Sequence, residues 1–85
     1  MDSATATLIT IFKERAEQLL AEGNLDEALH AANATLEKAQ NLLSPAIEDI
    51  RSYVDALEVR GRVQQEMQRH EDALDDFLEA LEQLQ

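Results

Sequence analysis

Glu27 and His30 stand three residues apart in a stretch rich in helix formers. On a helix that spacing turns a carboxylate and an imidazole toward one metal ion, as in carboxylate-bridged di-iron bundles. Such a centre needs a second Glu-x-x-His and two further inward Glu residues. The equivalent stretch reads Asp72-Ala73-Leu74-Asp75, and His30 lies about 120° or more around its helix from the leucine stripe. His30 therefore reads as a solvated histidine. Asp72, Asp75, Asp76 and Glu79 gather carboxylates at helical spacing, but no Gly-containing loop with alternating oxygens accompanies them, so they read as a solvated face that also favours a helix start. His70 reads as a turn residue and Tyr53 as packing. With no Cys, thiol nucleophiles, disulfides and thiolate metal sites are excluded, and no Gly-rich phosphate loop occurs. Neither catalysis nor a metal or cofactor is expected.

The elements that must carry any surviving function are set by composition. The chain has 85 residues, 45% hydrophobic and 29% charged, which fits one small globular domain over residues 1–85. Eighteen Asp and Glu against seven Lys and Arg give a formal charge of −11, which repels phosphate backbones and anionic lipid. Nucleic acid and membrane are not expected partners. The apolar run Leu8 to Phe12, broken by Thr10, falls far short of the roughly 18 residues of a membrane span. Asp2 occupies the place of a basic leader segment, and Lys13, Glu14 and Arg15 follow the apolar run at once. A soluble, cytoplasmic chain is expected.

Two Gly and one Pro mark the joints of an otherwise helix-favouring chain. Gly23 suits a helix C-cap with Asn24 capping the next helix, Ser44-Pro45 suits a helix start, and Gln68-Arg69-His70 precedes the acidic start Glu71-Asp72. Four helices are predicted, near 4–22, 25–43, 45–68 and 71–84. The β-branched opening from Ala4 to Ile11 alternates like a strand, but Leu8, Ile11, Phe12, Ala16, Leu19 and Leu20 keep helical spacing. In the second helix Leu25, Leu29, Ala32, Leu36, Ala39 and Leu43 form one stripe. The third carries Ile47, Ile50, Val54 and Leu57 on one side and Val59, Val63 and Met67 on the other, so it should be sandwiched between neighbours. The fourth spreads its apolar residues over an arc of roughly 160°, wider than a surface helix needs.

A shift of 45 residues lays Arg15-Ala16 on Arg60-Gly61, Ala28-Leu29 on Ala73-Leu74 and Leu36-Glu37 on Leu81-Glu82. The chain is thus two copies of a helix pair, about 8–43 and 45–85, with small residues twelve apart in each copy (Ala16 to Ala28, Gly61 to Ala73). With Phe12 and Leu57 four residues before the small ones, Gly23 at the first turn, and Leu25-Asp26-Glu27-Ala28-Leu29 and His70-Glu71-Asp72-Ala73-Leu74 opening the second helices, the sequence resembles the tetratricopeptide repeat family. The resemblance implies an all-α fold of two antiparallel hairpins stacked as a short right-handed superhelix. The 45-residue shift exceeds the usual repeat of about 34, copy two has Gln68 at the turn, and Arg15 and Arg60 stand where an apolar residue is common. A plain four-helix bundle or a microtubule-interacting-and-transport type domain is the alternative.

The resemblance also implies a protein-interaction module whose first helices line a groove for a peptide or helix. By register the groove residues are Lys13, Glu17 and Leu20 from copy one and Asp55, Glu58, Arg62 and Gln65 from copy two. Members that clamp a C-terminal carboxylate use Lys and Asn; Glu17 stands at the Asn place, which disfavours that subclass. Acidic groove positions point instead to a partner with basic residues flanking an apolar anchor. The rival reading is a self-associating four-helix unit, a homodimer that buries Phe77, Leu78, Leu81 and Leu84 across a two-fold axis.

Overall fold

With so few residues able to interrupt it, the chain is helical apart from its turns and last residues in the part described by the computed structural model, residues 3–40 and 47–85. The helices are α1 (Ser3–Ala21), α2 (Leu25–Gln40), α3 (Ile47–Glu66) and α4 (His70–Gln83). Leu43 and the Ser44-Pro45 start signal lie outside the described residues. The β-branched opening is helical because burial outweighs local preference. Ile9, Ala16 and Leu19 fall on one face and are 4%, 0% and 5% exposed.

The two hairpin turns share one construction. At the end of α1, Asn24 N–H bonds Leu19 C=O at 2.9 Å and Gly23 N–H bonds Leu20 C=O at 3.1 Å, closing a Schellman motif around Gly23 at φ 81°. At the end of α3, Arg69 N–H bonds Gln64 C=O at 2.8 Å and Gln68 N–H bonds Gln65 C=O at 3.0 Å, with Gln68 at φ 64°. Gln68 thus takes the left-handed place of Gly23 in spite of its Cβ. Asn24 does not cap α2 in the expected manner. Its Nδ2 turns back to donate to Glu22 Oε1 at 3.4 Å, and its backbone carbonyl accepts Ala28 N–H.

α1 packs on α2, α2 on α3 and α3 on α4, with a lighter contact between α1 and α3. This is a stack of two antiparallel hairpins. α3 is sandwiched as its two apolar sides require: Leu57 and Val54 lie with Leu36 of α2 and Ala80 of α4, while Val59 packs with Ala16 and Ala32, and Val63 with Leu19 and Ala28. The small residues oppose one another at a spacing different from the expected twelve. In copy one Ala16 packs with Ala32; in copy two the Gly61 backbone takes the ring of Phe77, the residue 45 places after Ala32. A Cβ on Gly61 would stand 2.6 Å from Phe77 Cε1, so any larger residue there would force the ring to shift.

Candidate functional site: the face shared by α1 and α3

Lys13, Glu17 and Leu20 recur at four and three residues along α1, and Asp55, Glu58, Arg62 and Gln65 at three and four along α3, so each set occupies one helix face. The fold sets the two faces side by side. Lys13 Nζ lies 3.6 Å from Asp55 Oδ2, and Arg62 Nη2 lies 3.3 Å from Glu17 Oε2. Side-chain exposures of 32% to 41% make these surface pairs, each contributing about 0–1 kcal/mol. Opposite charges that the sequence suggested would meet a partner therefore first meet one another. Glu58 is exposed on the same helix.

Toward the C-terminal ends of both helices, Leu20, Arg62, Gln65 and Glu66 line an open cleft of about 450 Å³. Leu20 is half-buried against the Leu19, Ala28 and Val63 cluster, which gives the cleft an apolar wall. Arg62 Nε is buried and meets no acceptor among the described residues, although Nη2 of the same guanidinium holds Glu17. A buried N–H without a partner costs roughly 1–3 kcal/mol.

The remaining chemistry-bearing residues go elsewhere. Glu27 and His30 are exposed on α2, and His70 is exposed at the start of α4. Among the described residues no three His, Asp or Glu side chains converge as metal ligands. The acidic row on α4 is not uniformly solvated. Asp75 and Asp72 are exposed, but Asp76 is 6% exposed and accepts two hydrogen bonds from Arg60, and Glu79 accepts the Tyr53 hydroxyl at 2.6 Å. Tyr53 and Asp76 thus serve the α3–α4 contact, a role whose sequence signal is faint: Asp76 follows Arg60 at the interval by which Phe77 follows Gly61. Phe77, half-buried on Gly61, is separated from Leu78, Leu81 and Leu84, which are 49%, 57% and 66% exposed. No described helix is long and apolar enough to cross a membrane. Comparison of the chain with family models, curated proteins and solved structures finds no match.

Proposed function

We propose that this chain is a protein-protein interaction module of tetratricopeptide-like build that holds a peptide or helix along the α1–α3 face. One observation carries the reading: the cleft beside Leu20 combines an apolar wall with a buried Arg62 N–H that has no acceptor among the described residues. A bound segment would place an apolar side chain against Leu20 and a carbonyl oxygen beside the Arg62 guanidinium. Basic residues flanking that anchor fit Glu58, Glu66 and the net charge of −11.

The test is selection from a random peptide display library on the immobilised wild-type chain, followed by titration of enriched peptides against Leu20→Lys. The reading expects an apolar anchor with basic flanks, at least about tenfold weaker binding to the variant, and weakening as salt rises. Enriched peptides that bind Leu20→Lys equally well, or no enrichment, would overturn it. A second reading, self-association through Leu78, Leu81 and Leu84, is favoured by their exposure. Light scattering that returns a 9.5 kDa monomer at every concentration removes it.

A further inference from the structure

The internal repeat indicates what kind of element fits the open face of α4. Leu74, Leu78 and Leu81 are 56%, 49% and 57% exposed, and a shift of 45 residues puts them on Leu29, Asn33 and Leu36 of α2. α3 packs along that α2 row, burying Leu36, half-burying Leu29 and leaving Asn33 exposed. Leu29 packs in the cluster of Val63 and Met67, Asn33 Oδ1 accepts Arg60 Nη1 at 3.3 Å, and Leu36 lies with Ala56 and Leu57. The covering residues Tyr53, Ala56, Arg60, Val63 and Met67 alternate in steps of three and four, a heptad seam running antiparallel to α2. α4 carries the same receiving row with no helix on it among the described residues, and Leu78 in place of Asn33 makes the row more apolar.

A second copy of this chain is a poor occupant. Its α1, the counterpart of α3, with the turn that follows offers Leu8, Ile11, Arg15, Gln18 and Glu22 at the seam. Ile11 suits Leu81, but Arg15, Gln18 and Glu22 would be desolvated against Leu78 and Leu74. Antiparallel pairing of α4 with α4 is opposed by charge. Glu71, Asp75 and Glu82, all exposed, form one flank of the leucine row, and in a two-fold antiparallel pair that flank meets itself. α4 contains no Lys or Arg to relieve it.

We infer that the outer face of α4 docks an amphipathic helix of another protein, with apolar residues at all five seam positions and Lys or Arg along the edge facing Glu71, Asp75 and Glu82. This surface is separate from the α1–α3 cleft. The probe is a synthetic helical peptide with Leu at the five seam positions and Lys along one flank, compared with a twin carrying Glu on that flank. By fluorescence anisotropy on the full chain, the Lys peptide is expected to bind at least about tenfold tighter than its twin at low salt, with the gap closing as salt is raised. Leu78→Asn and Leu81→Gln alter solvent-facing positions and should each weaken binding about tenfold at unchanged helicity, while Glu17→Arg in the other face should not. Equal binding of the two peptides, no binding, or indifference to both leucine variants overturns the inference. So does a dimer in light scattering that Leu81→Gln returns to monomer, which would give the face to a second copy.

Discussion

Arg60 of α3 and Asp76 of α4 are joined by two parallel hydrogen bonds, from Nε and Nη2, each 2.7 Å long. The carboxylate is 8% exposed at its side chain and the guanidinium 26%, and hydrogen bonding to Asp76 raises the Arg60 pKa above its ordinary value. Nη1 of the same guanidinium reaches Asn33 at 3.3 Å, so one side chain ties α2, α3 and α4 together. Replacing Asp76 by Ala leaves a partly buried cation unpaired. Because water still reaches that cation, the expected cost is about 2 kcal/mol rather than the 3–5 of a fully buried pair. Urea unfolding of Asp76→Ala against wild type measures it, and a loss below about 0.5 kcal/mol would contradict this account.

Gly61 and Phe77 set a second, opposing pair of effects. Gly61→Ala gains about 1 kcal/mol of helix propensity, yet its methyl meets the Phe77 ring, and overpacking costs typically 1–3 kcal/mol. A net loss of roughly 1 kcal/mol is expected. Adding Phe77→Ala rebuilds in copy two the Ala16 and Ala32 contact of copy one. A double-mutant cycle should therefore show coupling of about 1 kcal/mol or more, with Gly61→Ala turning stabilising once the ring is gone.

Gln68 holds a left-handed conformation that costs an L-residue roughly 1–2 kcal/mol. Part of that is offset by the greater freedom glycine has to lose on folding. Gln68→Gly should stabilise the chain by about 0.5–1 kcal/mol, raising the thermal midpoint by a few degrees, and Gly23→Gln at the matching turn should lower it. A neutral Gln68→Gly would mean that the turn is held by strain elsewhere.

Tyr53 is the one tyrosine, which makes its titration directly visible in ultraviolet absorbance. Burial raises its pKa above 10.0, and the hydrogen bond to the Glu79 carboxylate adds to the rise. A folded-state pKa above the unfolded one means that the stability Tyr53 contributes is complete below about pH 10 and is lost as pH rises through the folded value. The phenolate should appear at higher pH in the native chain than in denaturant, and Glu79→Gln should bring the two curves closer.

Much of the fold was legible because breakers and periodicity are local properties. Gly23 ended α1, and the two apolar sides of α3 required neighbours on both. The turn at Gln68 kept its Schellman bonds because the motif is made by backbone groups, so the missing glycine removed a preference and not the geometry. Less of the site was legible. Lys13 and Arg62 stand 42 and 45 positions from the acids they meet, and no local pattern announces such a pair. Asp76 and Glu79 looked like members of a solvated row because the sequence shows their charge but not the partners, Arg60 and Tyr53, that the α3–α4 packing brings to them.

The way α4 is attached bears on the order in which the molecule assembles. Each helix touches its successor, and α1 also reaches α3, whereas α4 touches α3 alone among the described elements. Contacts this short in sequence favour rapid folding, because little loop entropy is lost before they form. The α2–α3 interface can mature without α4, but α4 has nowhere to dock until α3 is in place. Its amides should accordingly exchange with solvent deuterium through partial openings that leave α1 to α3 intact, making α4 the lowest-energy opening unit of the chain.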